Sequence, residues 1–529
     1  MKYLSFSIIL LYSITSYSQK WDHTYGNPNW YEGPSDIVKS YDKGYLVLGN
    51  TGYNDHGWII KTDINGELLW DKYFGGPDQD PILEAVEQDI YGNIYLAGLM
   101  KFGQTIPTSI IFKMDSCGNL IWCKTIYTDN MDYNFINDIL IYNDTTIICY
   151  AYHNEPDDEN NNYLYNINSN NGDLRWKKPY ASKSDYPLLD QSGGSRMYLF
   201  DEMLIIAGYC YTAYPNGDSN HYYLHPFFIG IDTTFEEKWV LPFGISDSLR
   251  GVALGAIPVS DSIIMGFGKR RLGSISHSLL MFFDYDGNEL GYNMIENEQL
   301  GNNIISNTMS DMRWINDTFL FGSIAYQIDE DYINFCDVQT DTSGTVHKVE
   351  FVDFNAGGGG KSNMLKTFDN KYVVTTGYIE DGIGDIYLYK KNSDLEHDTI
   401  YPGIYTYDSL CNEQIISNTI SLGGCDIITN IKDVPTLVEY NHNKKIVIIT
   451  AFPNPVIGNQ ITFEFQNTQH HQNMELRCFN VFGELVFEER VYPYQGESKV
   501  NVQSWNSGIY VSLVYSEGKV VGQTKFVVQ

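Results

Sequence analysis

Short apolar runs recur along residues 37–395, and Gly, Asn or Asp bounds most of them. The first clear copy has an apolar run that ends at Gly49 (residues 44–49) and a second apolar run (58–63). A turn at 64–66 and a run that ends at Trp70 (67–70) complete the copy. Runs of this length that are rich in β-branched and aromatic residues predict β-strands joined by tight turns.

The same unit returns to give seven copies. The first apolar run of each later copy lies at 93–98, 147–151, 204–208, 263–266, 319–322 and 372–377. The turns of copies four and seven, near Asp232 and Asn392, are degenerate because they lack the usual Gly. A repeat every ~50–60 residues is the size of a four-stranded sheet and indicates a blade of a β-propeller.

Packing explains why such sheets would assemble in a ring. A single blade has two apolar faces and cannot bury both alone, whereas blades packed around an axis cover one another and leave short edges. The Gly that ends the first run lets the chain bend near the crowded axis. Copies one to four carry a Trp at one equivalent place, and we expect it to pack between blades. These residues are Trp70, Trp122, Trp176 and Trp239.

The C-terminal part of the chain has a different pattern. Residues 452–529 contain short alternating runs such as 461–465 and 476–481, which predict a small Ig-like β-sandwich. Residues 399–451 show no repeat and are predicted as a linker. We therefore expect an all-β protein, with a propeller of about seven blades at 19–398 and a sandwich at 452–529.

The N-terminus has the features of a secretory signal peptide. Lys2 precedes an apolar run at 4–11, and small residues at Ser16 and Ser18 predict cleavage between Ser18 and Gln19. The predicted signal peptide is thus residues 1–18. The apolar run is too short to span a bilayer, and no later segment is apolar enough to be a transmembrane helix.

Composition narrows the classes of partner. The formal net charge of −32 argues against nucleic acid, because phosphates would be repelled. Aromatic residues make up 15% and charged residues 19% of the chain, which is typical of an all-β surface protein.

Eight cysteines in an exported chain permit disulfides. We predict a bond between Cys411 and Cys425, which would staple the linker. Cys117 and Cys123 would lie too far apart to bond if they sit on one extended strand, but their pairing stays open. The other four, Cys149, Cys210, Cys336 and Cys478, lie in strand-like runs and are predicted to be buried free thiols.

The sequence assigns no catalytic, cofactor-binding or metal-binding residue. Arg250, Arg270, Arg271 and His277 form the one basic cluster, without a recognisable catalytic pattern. The loops at 153–163 and 211–226 are rich in Tyr, Asn and Asp, which suits contact with a sugar or a protein.

The C-terminal motifs resemble those of a known family. Pro453, Asn454 and Pro455 are followed by a turn at Gly483, then by Gly508 and Tyr510, and finally by Lys525 in a terminal run. This order resembles the type A sorting domain of cargo for the bacterial type IX secretion system, although Asn506 replaces the family's usual Pro. The resemblance implies contact with outer-membrane secretion machinery, and release or attachment at the cell surface. The repeat region is similar to the propellers of bacterial cell-surface proteins.

Three functions remain for the propeller. It could bind a glycan or protein ligand without catalysis, which we favour. It could instead be a hydrolase or lyase that acts on polysaccharide, or a purely architectural surface protein.

Overall fold

A computed structural model gives the fold of the chain. It describes residues 20–27, 30–52, 56–76, 79–102, 107–127, 133–154, 162–183, 185–186, 189–200, 202–213, 222–245, 249–329, 333–352, 362–380, 383–429, 448–456, 458–466, 474–480, 485–491, 497–516 and 519–528. The chain divides into two compact units, 1–434 and 435–529. The predicted signal peptide, with Ser18 and Gln19, lies outside the described residues, as does Gly483.

The first unit contains seven antiparallel sheets, which we call blades 1 to 7. In chain order the strands are β1 (Asp22–Tyr25); β2 (Glu32–Lys39), β3 (Tyr45–Thr51), β4 (His56–Thr62) and β5 (Leu68–Phe74) of blade 1; β6 (Gln79–Gln88), β7 (Ile94–Phe102), β8 (Thr108–Met114) and β9 (Leu120–Ile126) of blade 2; and β10 (Tyr133–Asn143), β11 (Thr146–Asn154), β12 (Asn162–Asn168) and β13 (Leu174–Tyr180) of blade 3.

The remaining blades follow the same order. They contain β14 (Leu189–Phe200), β15 (Met203–Ala213), β16 (Tyr222–Asp232) and β17 (Glu237–Pro242) of blade 4; β18 (Gly251–Ser260), β19 (Ile263–Leu272), β20 (Ile275–Asp284) and β21 (Glu289–Ile295) of blade 5; helix α1 (Asn297–Leu300); β22 (Ser306–Trp314), β23 (Leu320–Gln327), β24 (Asn334–Thr340) and β25 (Val346–Phe351) of blade 6; and β26 (Ser362–Lys366), β27 (Tyr372–Glu380) and β28 (Ile383–Lys391) of blade 7.

The ring closes between the two ends of the repeat region. Strand β1 pairs with β28 and so completes blade 7 from the N-terminal side. The first strand of each blade contacts the first strand of the next, from β2 through β26 and back to β2. These seven inner strands therefore surround the axis, and the predicted seven-bladed propeller is confirmed.

The tryptophans of copies one to four pack between blades, as predicted. Trp70 belongs to an apolar cluster shared by blades 1 and 2, and Trp122 to one shared by blades 2 and 3. Trp176 and Trp239 hold the equivalent places at the next two seams. The large ring of one blade thus covers the apolar face of its neighbour.

The turns after the third strands of blades 1, 4 and 7 share one hydrogen-bonding scheme. In blade 1, Asp63 Oδ1 accepts from the N–H groups of Asn65 and Glu67, both at 2.8 Å. Asp232 in blade 4 and Asn392 in blade 7 accept in the same way. These two turns place Phe235 (φ 62°) and Leu395 (φ 60°) in the left-handed region that other copies give to Gly. The turns that looked degenerate in sequence therefore keep the common geometry.

Much of the predicted linker is part of the propeller unit. Residues 399–429, which we call the strap, run along the outer edges of blades 1 and 2. Strand β29 (Asn418–Ile420) pairs in parallel with β5, and β30 (Asp426–Ile428) pairs in parallel with β9. The strap extends both sheets to five strands.

The predicted bond between Cys411 and Cys425 is wrong. Cys411 bonds to Cys117, with a Cα–Cα distance of 5.5 Å, and Cys425 bonds to Cys123, at 4.7 Å. The physical reason is the course of the strap, which passes beside the turn and strand that carry Cys117 and Cys123. The other four cysteines are free and buried, as predicted.

A buried ion pair also holds the strap. Lys61 Nζ lies 2.8 Å from a carboxylate oxygen of Asp42, and both side chains are almost fully buried. Asp408 of the strap lies 3.8 Å from the same Nζ, and its N–H donates to Asp42 at 3.0 Å. The strap therefore completes a polar cluster that blade 1 alone would leave partly unsatisfied.

The second unit is a two-sheet sandwich. Its strands are β31 (Ile448–Phe452), β32 (Gln460–Gln466), β33 (Met474–Asn480), β34 (Leu485–Val491), β35 (Glu497–Asn501), β36 (Gly508–Ser516) and β37 (Lys519–Val528). Strands β31, β32 and β35 form one sheet, and β33, β34, β36 and β37 form the other. A core that includes Phe463, Leu476, Val514 and Phe526 lies between them. The predicted small sandwich is confirmed.

No helix among the described residues could cross a membrane.

Candidate functional site

The inner strands carry a repeated irregularity. In blades 1 to 6 the pairing between the first and second strands slips by one residue, which marks a β-bulge. The extra residues are Ser35, Glu84, Asn137, Ser195, Leu254 and Ser310. All of these except Ser35 line the central cavity.

A glycine on the second strand makes room for the bulge. A Cβ at Gly98 would lie 2.0 Å from the carbonyl oxygen of Ile82, and one at Gly208 would lie 2.0 Å from that of Gly193. The Gly that ends the predicted first run is therefore needed for close approach of two backbones. The bend near the axis that we expected from sequence belongs to the inner strand instead.

Three aspartates bridge neighbouring inner strands. Each follows a bulge, and its second carboxylate oxygen accepts from a main-chain N–H of the next inner strand. Asp36 accepts from Val86, Asp138 from Met197 and Asp311 from Met364, at 3.2, 2.6 and 2.8 Å. The ring is thus joined by side chains as well as by apolar packing.

Arg196 closes the channel across its centre. From the inner strand of blade 4 it donates to Asn363 of blade 7, and its Nη1 lies 3.6 Å from Asp311 of blade 6. Arg313 also pairs with Asp311 and donates to the carbonyl oxygen of Met364 at 2.7 Å. Arg196 and Asn363 line the cavity, so their contact forms its floor.

Above this floor lies a cavity of about 650 Å³. It is lined by the starts of inner strands, by the ends of second strands and by the starts of third strands, so it opens on the face where those ends meet. Its lining comes from six of the seven blades, all but blade 1.

One wall of the cavity is aromatic. Tyr133, Phe135 and Tyr152 of blade 3 lie with ring centroids 5.6–6.1 Å apart. Tyr209 of blade 4 continues the wall, and a Cβ at Gly193 would lie 3.3 Å from Tyr209 and 3.4 Å from Tyr152. Gly193 therefore leaves both rings accessible from the cavity. All four rings are half-buried.

The adjoining wall is polar. Lys269, Arg271, Ser274 and Ser276 come from blade 5. The hydroxyl groups of Ser306, Thr308 and Ser310 come from blade 6. Among the described residues that line the cavity, Glu84 is the one carboxylic acid.

Acidic groups at the axis have shifted pKa values. Burial, with help from Asp36, raises the pKa of Asp138 to about 7. Burial, followed by Asp36 and Asp138, raises the pKa of Glu87 to about 8. Burial also lowers the pKa of Lys269, and the nearby Arg271 lowers it further.

The basic cluster seen in sequence is divided by the strands. Arg271 lines the cavity, whereas Arg270 lies 5.7 Å from the ring centroid of Tyr292. Arg250 stacks on Tyr223 at 3.8 Å, and His277 Nδ1 lies 3.0 Å from a carboxylate oxygen of Glu296. Strand alternation places Arg270 and Arg271, which are neighbours in sequence, on opposite faces of β19.

The sequence did not predict the aromatic wall, because the content of Tyr, Asn and Asp favoured the loops at 153–163 and 211–226 instead. Those loops lie partly outside the described residues. The spacing of Tyr133 and Phe135, two apart at the start of a strand, was the available indication, since such residues share a face.

In the described part of the chain, no group of three or more His, Cys, Asp or Glu side chains is placed to hold a metal ion.

The C-terminal motif residues cluster at the terminal strand of the sandwich. Asn454, between Pro453 and Pro455, donates to the carbonyl oxygen of Lys525 and accepts from the N–H of Val527, both at 3.0 Å. Gly508 begins β36, and the Tyr510 ring lies 5.7 Å from Phe526. The first motif thus fixes the last strand.

Comparison with known proteins identifies this unit. Residues 450–529 match the family described as the secretion system C-terminal sorting domain. The second unit is therefore a type IX sorting domain, which implies export and a location at the cell surface or in the medium. No curated protein has a matching sequence.

Several solved structures are similar to the whole chain or its propeller. An ulvan lyase of a new polysaccharide lyase family is 11% identical, with 69% of this chain and 95% of that chain covered and a TM-score of 0.43. Drosophila Semaphorin 2a is 8% identical, with 97% and 99% covered and a TM-score of 0.41. Quinohemoprotein alcohol dehydrogenase from Comamonas testosteroni is 9% identical, with 70% and 78% covered and a TM-score of 0.37.

Proposed function

We propose that this protein is an exported β-propeller that binds a carbohydrate in its central cavity. The sorting domain carries it to the outer-membrane secretion machinery, and the predicted signal peptide would take it across the inner membrane first. After export the protein is attached to the cell surface or released.

The aromatic wall supports carbohydrate as the ligand. Sugars present flat C–H faces that pack on aromatic rings, and hydroxyl groups that need hydrogen-bond partners. The cavity offers both, because Tyr133, Phe135, Tyr152 and Tyr209 adjoin the hydroxyl groups of blades 5 and 6. A cavity of about 650 Å³ also suits a small ligand or a short stretch of polymer better than a broad protein interface.

The set of acids in the cavity favours binding over glycoside hydrolysis. Most glycosidases use two carboxylic acids that flank the scissile bond. Glu84 is the one acid among the described lining residues, and the acids beneath the floor are engaged in the bridges between blades. Lyase or hydrolase activity remains the second candidate, since ionisable groups of several blades reach the cavity.

Retention of the full chain on immobilised polysaccharides tests this proposal. We expect the wild type to be retained on at least one polymer, and Tyr209→Ala and Tyr152→Ala each to weaken retention about tenfold or more. The matched control is Tyr91→Ala, since Tyr91 is 59% exposed on a turn outside the cavity. A wild type that binds no polysaccharide, or cavity variants that bind like the control, would overturn the proposal. Release of new reducing ends from a bound polymer would favour the enzymatic candidate.

A further inference from the structure

Resting on that proposed function, we propose that the ligand is an anionic polysaccharide, whose carboxylate or sulfate groups bind to Lys269 and Arg271. These two residues are two apart on β19, so their side chains share one face of the strand. Both line the cavity, whereas Arg270 between them contacts Tyr292 and Met294 on the other face. The strand thus aims two cations at the space where the ligand would lie.

Neither cation is neutralised within the described part of the chain. Two fully buried lysines show the contrast: Lys61 pairs with Asp42, and Lys390 lies 2.8 Å from Asp369. No described carboxylate lies within ion-pair distance of Lys269 or Arg271, although the whole chain carries a formal charge of −32. A cationic pair left without a partner in so acidic a protein is a local site for an anion.

Electrostatics at the pair agree with this geometry. Lys269 is half-buried and Arg271 is exposed at the mouth of the cavity. Burial and the charge of Arg271 both lower the pKa of Lys269, so keeping its side chain protonated costs free energy. A bound anion would offset that cost, because opposite charge favours the charged form.

The shape of the cations suits carboxylate and sulfate alike. A guanidinium presents paired N–H donors that match two oxygens of either group, and an ammonium adds a point charge with three donors. Ser274 and Ser276, beside the pair, supply further donors to the same oxygens. Uronate and sulfated sugars share this chemistry, and the experiment distinguishes them.

The test compares polymers that differ in charge. The full chain is titrated with dextran, with dextran sulfate on the same backbone, and with polygalacturonate. We expect tighter binding to dextran sulfate or to polygalacturonate than to dextran, and weaker binding of the anionic polymer as salt is raised. Preference for one anionic polymer tells sulfate from carboxylate.

Two variants assign the effect to residues. Lys269→Gln and Arg271→Gln should each weaken binding of the anionic polymer about tenfold or more, and should leave dextran binding unchanged. The charge-matched controls are the single variants Lys238→Gln and Arg175→Gln, at exposed positions on the outermost strands β17 and β13. Each should bind like the wild type. Arg271→Lys, which keeps the charge, should restore part of the affinity.

Each outcome is decisive. If the two cavity variants bind the anionic polymers like the wild type, or if the controls at Lys238 and Arg175 lose as much affinity, the anion inference is wrong. Sensitivity to Tyr209→Ala would then still leave a neutral carbohydrate as the ligand. If the wild type binds none of the three polymers nor any other polysaccharide, the proposed function fails and the inference fails with it.

Discussion

Asp138 on the inner strand of blade 3 accepts a hydrogen bond of 2.6 Å from the main-chain N–H of Met197 on the inner strand of blade 4. Its other carboxylate oxygen accepts from the N–H of Ile139, at 2.9 Å. One side chain therefore satisfies a donor on each side of a seam between blades. Asp36 and Asp311 do the same at two further seams.

Asp138→Ala should destabilise the propeller. The change removes both acceptors and leaves the N–H groups of Ile139 and Met197 unsatisfied beside buried side chains, which costs about 1–3 kcal/mol. The measurement is the free energy of unfolding of the propeller in urea. Asp144→Ala, at the exposed turn after the same strand, is the control and should change stability by less than about 0.5 kcal/mol. Equal effects would show that the bridge adds nothing to stability.

Stability should decline as the pH rises from about 4 to about 8. Burial first, and then neighbouring acids, raise the pKa of Asp138 to about 7 and of Glu87 to about 8. The folded chain therefore holds these protons more tightly than the unfolded chain. The protons add fully to the free energy of unfolding below the ordinary carboxyl pKa near 4. This stabilisation is lost as the pH rises past about 7 for Asp138 and about 8 for Glu87. The hydrogen bond from the Asn288 side chain lowers the pKa of Asp284, which acts in the opposite sense below about pH 4.

Thermal melts across this range give the measurement. We expect the highest melting temperature in mild acid, and Glu87→Gln should flatten the decline toward pH 8 because it removes the group with the higher pKa. A melting temperature that rises steadily from pH 5 to pH 8 in the wild type would contradict the assignment.

Local chemistry made the outer part of each blade predictable. Turn acids such as Asp63 accept hydrogen bonds within their own turn, and tryptophans such as Trp70 pack against the next blade. Because each contact is made within one repeat or with the adjacent repeat, the spacing of these residues recurs in the sequence. The inner strands do not repeat visibly, because a bulge breaks their alternation and polar residues such as Asn137 and Ser195 face the cavity. The candidate site was therefore the part that sequence could not locate.

The disulfides show a second limit. Cys117 and Cys411 are 294 residues apart, and Cys123 and Cys425 are 302 apart. Pairing at such distances depends on the path of the strap, whose strands have only three residues each and carry no hydrophobic period. Spacing alone favoured the nearer partners.

Peptide mapping of the unreduced protein should recover two cross-links, one between the Cys117 and Cys411 peptides and one between the Cys123 and Cys425 peptides. Chymotrypsin with a Glu-specific protease is suitable. Cleavage after Trp122 separates Cys117 from Cys123, and cleavage after Glu413 separates Cys411 from Cys425. A peptide that links Cys411 to Cys425 would restore the pairing predicted from sequence.

Removing either cross-link should destabilise the propeller. Each bond closes a loop of about 300 residues, and loss of such a bond costs about 2–5 kcal/mol. Cys411→Ser and Cys425→Ser should therefore lower the urea midpoint. Cys210→Ala, at a buried free thiol, should leave the map of cross-links unchanged and serves as the control. Serine variants as stable as the wild type would mean that hydrogen bonds alone hold the strap.

The mature chain should begin at Gln19. Intact mass and N-terminal sequencing of the exported protein measure this directly. Ser18→Phe should block processing, because the signal peptidase accepts small residues at this position, and the precursor should accumulate in the cell. Normal processing of that variant would place the cleavage site elsewhere.

Deleting residues 452–529 should stop the protein inside the cell envelope while its propeller still folds. The deleted strands belong to a unit with its own core, and the strap that the disulfides hold ends before it. Immunoblots of medium, cell surface and periplasm measure the location, and the two disulfides report on folding.

Asn454→Ala should reduce export less completely than the deletion, since Asn454 fixes the last strand through Lys525 and Val527. Gln503→Ala, at an exposed position of the same unit, is its control. A truncated chain that is retained but still forms both cross-links has folded and has failed to cross the outer membrane. Normal export of the truncated chain would mean that the sorting information lies in the propeller.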